Sequence, residues 1–246
     1  MVKFAVVSTK IIAATIATLL LSSCNAKIDL GNGIDGNGNV TRQTRSVGKD
    51  FSKIEVNRGL NVIVEQSDSF FVEVEADDNL QSHITTKVEN GTLIITTDEN
   101  IDEATARNIH IKMPSLSDIE TSSGSSVTTK GVFTGSQIDV TSSSGSEADL
   151  DLEYESISCE SSSGSSITVK GKALSLSTDS SSGSTIEAQN LLANDVISES
   201  TSGSSTNVHP IVSLNGKASS GSSISYDTSP KTVTKEESSG GSVSKE

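Results

Sequence analysis

Apolar and polar residues alternate over short stretches through most of the chain. Leu60, Val62 and Val64 interleave with Asn61, Ile63 and Glu65, and Val72, Val74 and Ala76 interleave with Phe71, Glu73 and Glu75. A period of two predicts strands with one buried face. Ile84, Thr86 and Val88 lead into Asn90-Gly91, and Thr92 to Thr97 follow, which reads as a two-residue hairpin. Ile109, Ile111 and Met113 predict a further strand ending at Pro114, and Asp77 to Ser82 fit a single helical turn. The acidic stretch from Asp98 to Ala106 reads as a loop. Residues 51–115 are therefore expected to hold short strands of antiparallel type.

From residue 116 onward the alternation acquires a second, longer period. Glycines recur at Gly124, Gly145, Gly164, Gly183, Gly203, Gly221 and Gly240, spaced by 21, 19, 19, 20, 18 and 19 residues. With each of these glycines as position zero, position +3 reads Val127, Ala148, Ile167, Ile186, Thr206, Ile224 and Val243. Position −7 reads Ile138, Ile157, Leu176, Val196, Leu214 and Val233 in the last six units. Position −1 is serine throughout: Ser123, Ser144, Ser163, Ser182, Ser202, Ser220 and Ser239. A low-complexity linker is also rich in Ser and Gly but does not keep register. A unit of this length cannot bury its own inner face, whereas stacked units can. Residues 116–246 therefore predict a β-solenoid with one coil per repeat and parallel strands about 4.8 Å apart. Counting odd positions as inward places the −1 serines and their +1 neighbours inside, with hydroxyls bonding along the stack.

The N-terminus has a different character. Residues 1–23 carry Lys3 and Lys10 and an apolar run from Ile11 to Leu21, with no acid before Asp29. This is a secretory signal pattern, and the run is almost long enough to be read as a membrane-spanning helix instead. It ends in Leu21-Ser22-Ser23-Cys24, which resembles the bacterial lipobox. That resemblance implies cleavage before Cys24, lipidation of its thiol and anchoring in the cell envelope, outer membrane included. Each buried methylene contributes about 0.8 kcal/mol to such an anchor. Residues 24–50 then read as a lipidated cysteine and a flexible Gly/Asn tether. Gly31 to Gly36 match G-x-G-x-x-G, but neither a buried strand before nor a helix after is predicted.

The ordered run Phe51-Ser52-Lys53-Ile54-Glu55-Val56, Gly59-Leu60-Asn61-Val62-Ile63-Val64 and Val72 to Leu80, followed by the Ser-Gly-Ser repeats, resembles the head GIN domain family. Its members are described as auto-transporter adhesins and are common as lipoproteins of Bacteroidetes. The resemblance spans roughly residues 48–230. It implies an all-β architecture with a right-handed parallel β-helix and an adhesive role, with no catalytic or binding residues to carry over.

Composition narrows the chemistry. Aromatics are 3% of the 246 residues and Trp is absent, so the core must be thin and rest on its backbone ladders. The net charge of −14 excludes nucleic acid as a partner, since phosphate binding needs clustered Lys and Arg. His83, His110 and His209 lack metal-type spacing, and Cys159 falls at the inward position −5, where it reads as a small buried thiol. No G-x-S-x-G elbow marks an activated serine, and the aromatic platforms of sugar-cleaving β-helix enzymes are missing. The expectation is a non-enzymatic protein needing no cofactor, held to the membrane by its lipid, with a protein or glycan partner. A periplasmic scaffold and a polysaccharide-active enzyme are the alternatives. Position −4 reads Glu120, Thr141, Glu160, Asp179, Glu199, Lys217 and Glu236. Adjacent carboxylates at coil spacing repel by about 0.9 kcal/mol in water. The run Glu160, Asp179 and Glu199 is either a solvated stripe that keeps solenoids apart or a weak Ca²⁺ site bridging coils.

Overall fold

The structure, a computed structural model, describes residues 33–246. The predicted signal segment and Cys24 lie outside the described residues. The repeat coils on itself as its periodicity requires. Strands β8 (Asp118–Thr121), β9 (Ser126–Thr129), β10 (Phe133–Ser142), β11 (Glu147–Ser161), β12 (Ser166–Ser180), β13 (Thr185–Ser200), β14 (Ser205–Ala218), β15 (Ser223–Tyr226), β16 (Thr232–Glu237) and β17 (Ser242–Lys245) form the stack. They pair only in parallel with one another, with Ile157 beside Leu176 and Leu176 beside Val196. Every +3 residue from Val127 to Val243 is buried, as are the −7 residues Ile138, Ile157, Leu176, Val196 and Leu214. Burying each large aliphatic side chain contributes about 1.5–3 kcal/mol. Val233, in the last coil, is 37% exposed because no described strand stacks below it.

The Ser-Gly dipeptides are corners of a kind the parity count did not anticipate. Ser163 (φ 54°) and Gly164 (φ 72°) are both left-handed, and Ser165 N–H bonds back to Ser162 O at 3.2 Å. Two consecutive left-handed residues make the tight turn that suits strand twist. Those two residues face solvent, so the −1 serines Ser123, Ser144, Ser163, Ser182, Ser202, Ser220 and Ser239 are exposed, not inward. The inward hydroxyls belong to +1 serines such as Ser146, Ser165 and Ser184, and to −3 residues such as Ser142, Ser161 and Ser180. The glycine amides from Gly124 to Gly221 then reach the −1 carbonyl of the next coil, as Gly164 N does to Ser182 O at 3.2 Å.

The N-terminal part joins the same stack. Strands β2 (Lys53–Val56) and β3 (Asn61–Gln66) flank Arg58 (φ 60°) and Gly59 (φ 72°), a corner of the same type. They pair in parallel with β8 and β9. On their other side lies a coil made by β6 (Thr92–Thr97) and β7 (Arg107–Met113), also parallel to them. Antiparallel pairing is confined to the end of the stack. There β4 (Phe71–Asp77) lies on β7, β5 (Ile84–Glu89) on β6, and β1 (Val40–Thr44) on β4. A 3₁₀ turn at Asp78–Leu80 sits between β4 and β5, where one helical turn was expected.

Residues 34–50 are not the free tether that their Gly and Asn content predicts. Ile34 bridges Ile101, β1 covers β4, and the Asn37 and Asn39 amides donate to Asp78. Buried Asp77 accepts N–H bonds from Gly38 (2.9 Å), Ala106 (3.1 Å) and Thr105 (3.3 Å). Burial pushes its carboxyl upward, but these donors outweigh that and hold it below the usual carboxylate range. Such docking needs no apolar alternation, so the hydropathy pattern is silent about it.

Candidate functional site

The stack departs from regularity at the wall where β10 to β14 bend between their two halves. The spacing there is 20 residues for one coil and 18 for the next. The extra residue is absorbed as register shifts between β12 and β13 and between β13 and β14, around Ala188 to Asp195. Bulges re-aim side chains, and here they break the inward-outward alternation. Leu192 is 42% exposed and Ile211 45% beside these shifts, and Leu174, 58% exposed, lies on the preceding coil, which pairs in register with β11.

These three residues line an open groove of about 470 Å³ with Gly135, Tyr154 and Ala173. Tyr154, the buried ring among them, is 5% exposed. Its hydroxyl donates to Leu116 O at 2.7 Å, and burial pushes its pKa up to about 12. Gly135 makes room for the ring, because a Cβ there would stand 2.4 Å from Tyr154 Cε1. The Lys172–Glu153 pair, 3.3 Å apart, marks the polar rim. Large exposed aliphatics clustered on an acidic, serine-rich surface are the arrangement of a contact site. The sequence does show a signal: Leu191-Leu192 and Ile211-Val212 break the alternation where the period slips.

The acidic row takes the register the repeat predicts, with Glu160 beside Asp179, Asp179 beside Glu199 and Glu199 beside Lys217. All three acids are exposed. No group of three or more His, Cys, Asp or Glu side chains among the described residues is arranged to hold a metal ion. Upstream, Glu55 lies beside Glu120. Partial burial, with the charges of Glu55 and Asp118, raises the Glu120 carboxyl.

The histidines stand apart from one another, each beside a carboxylate. His83 Nδ1 is 2.9 Å from Asp98 Oδ1, and His110 Nε2 is 3.1 Å from Glu75 Oε2. His209 Nδ1 is 2.9 Å from Asp227 Oδ1 without hydrogen-bond alignment. Glu75 also receives Arg42 at 2.8 Å, and these two hydrogen bonds, Arg42 foremost, hold its carboxyl low. Arg42, His110, Glu65, Glu73, Phe71 and Lys130 line a second, polar hollow of about 290 Å³ on the N-terminal sheet. Cys159 is buried as expected, its thiol pushed up to about 12 by that burial, which leaves it unreactive.

The sequence profile of the family described as "Putative auto-transporter adhesin, head GIN domain" matches residues 50–230. The chain belongs to this head GIN domain family. A solved structure of a "putative adhesin" from Bacteroides fragilis NCTC 9343 superposes with a TM-score of 0.81 at 22% identity, covering 87% of this chain and 100% of that one. A "putative lipid binding protein" from Parabacteroides distasonis ATCC 8503 gives 0.73 at 21% identity, covering 87% and 99%. A "putative adhesin" from Parabacteroides merdae ATCC 43184 gives 0.69 at 18% identity, covering 87% and 98%. At such identities the likeness establishes the β-solenoid fold. Among curated proteins none matches the sequence.

Proposed function

We propose that this head GIN domain protein is a lipid-anchored cell-envelope adhesin whose solenoid binds its partner without catalysis. The observation that carries the reading is the groove: Leu174, Leu192 and Ile211 stay exposed on successive coils of an otherwise polar wall. The family's adhesin description supports a binding role, and Leu21-Ser22-Ser23-Cys24 supports the anchor. The apolar groove favours one second reading, an acyl-chain ligand, as the name of the Parabacteroides distasonis relative suggests for that protein.

Fractionation and protease shaving of whole cells test the proposal. The protein should partition with membranes and be cleaved from intact cells, and Cys24→Ala should move it to the soluble fraction. Protection from protease in intact cells would favour a periplasmic scaffold instead. A fluorescent fatty acid that binds the purified protein and is lost in Leu174→Ser would favour the lipid reading.

A further inference from the structure

The two ends of the stack differ. At the N-terminal end β1, β4 and β5 lie antiparallel across the last parallel coil. Among the described residues β16, at the C-terminal end, pairs only with β14, and β17 only with β15, so each leaves one edge unpaired there. An open parallel edge is a template for another strand.

The inward positions of the last coil carry unusual residues. Positions −5 and −3 hold Thr178 and Ser180 in the coil of Gly183, both buried, but Lys235 and Glu237 in the last. Both charged side chains fold across the coil end to β17. Lys235 Nζ donates to Val243 O at 2.7 Å, and Glu237 Oε1 accepts from Val243 N–H at 2.6 Å. The Lys235 ammonium also lies 5.2 Å from the centroid of Tyr226. The two side chains thus occupy the backbone donor and acceptor of Val243, the pair that a further coil would use, and they shield the apolar end.

We infer that Lys235 and Glu237 form an autoinhibitory cap that blocks end-to-end pairing of this coil with a second copy of the chain. The second copy is the fitting occupant because the end offers two strands at one corner, β16 and β17. A single extended peptide matches only one of them. Another molecule's C-terminal coil presents both, whereas the outer strands of its N-terminal end, β1 and β5, flank no common corner, since β1 lies on β4, itself on β7, while β5 lies directly on β6.

The test is analytical ultracentrifugation of the full chain in mild detergent. The wild type should sediment as a monomer. The double variant Lys235→Thr, Glu237→Ser, which copies the coil of Gly183, should dimerise with a dissociation constant at least about tenfold lower. In that variant Ser244→Cys on β17 should give a disulfide-linked dimer, and Gln43→Cys on β1 should not. If the double variant does not fold, Lys235→Met is read in its place, since it keeps the stem over Tyr226 and frees Val243 O. Monomers for the folded variant, or cross-linking through β1, would overturn the inference, as would a wild type already paired through β17.

Discussion

Ser165 gives the sharpest reading of the coil. It is 2% exposed, and its hydroxyl lies 2.7 Å from both Ser162 O and Ser142 O and accepts the Ser162 N–H at 3.1 Å. Ser165→Ala removes those bonds and the 2.9 Å contact with the buried Ser161 Oγ, but no partner is orphaned, since Ser161 Oγ keeps Ser165 O at 3.2 Å. Ser162 N–H keeps Ser142 O at 3.0 Å, and Ser162 O keeps the Ser165 N–H at 3.2 Å. The cost should therefore be that of one net hydrogen bond, about 1 kcal/mol, and not the larger penalty of an unsatisfied buried group. Two residues earlier the sign reverses. Ser163 is exposed and left-handed, and asparagine tolerates that conformation better. Ser163→Asn should stabilise by up to about 1 kcal/mol. Urea titrations followed by circular dichroism measure both, and each kcal/mol should move the melting temperature by about 2–4 °C. A loss of about 3 kcal/mol or more for Ser165→Ala, or a larger loss for Ser163→Asn than for Ser165→Ala, would refute the turn geometry.

Asp77→Asn should destabilise by about 1–3 kcal/mol at neutral pH, since an amide group then faces a backbone donor. Because Asp77 and Glu75 titrate below their usual range, their stabilisation is present above about pH 4 and is lost as acid protonates them in the folded state. The gap between Asp77→Asn and wild type should thus close in acid, and an equal gap from pH 7 to pH 3 in thermal melts would contradict this. Gly36→Ala places a Cβ 2.0 Å from Asp77 Oδ2, so it should act on the same contact. Its cost and that of Asp77→Asn should be less than additive in a double-mutant cycle. Cys24→Ala should abolish incorporation of labelled palmitate, and label retained by that variant would rule out Cys24 as the acylation site.

The solenoid was legible because its coils repeat a two-residue alternation in fixed register, as at Ile157, Leu176 and Val196. Parity failed at Ser163-Gly164 because two left-handed residues pass through the corner without alternating faces. The coil of β2 and β3 was hidden for a related reason. Its corner is Arg58-Gly59, and 65 residues separate Gly59 from Gly124, so the serine signature and the short period are both missing. Residues 34–50 dock through Asn amides and backbone donors to Asp77 and Asp78, which leave no hydrophobic trace. The groove left its slipped spacing and the apolar pairs Leu191-Leu192 and Ile211-Val212, but Leu174 lies on a coil of regular spacing, so nothing in the period says that it is left in water.

The most direct test of the binding account is attachment of cells carrying the triple variant Leu174→Ser, Leu192→Ser and Ile211→Ser. The assay uses a panel of immobilised extracellular proteins and glycans. All three side chains are exposed, so melting should change little, whereas losing buried contact atoms from a binding groove should weaken attachment about tenfold or more. Attachment at wild-type strength by a folded triple variant would contradict the account, as would wild-type cells that attach no better than cells lacking the protein.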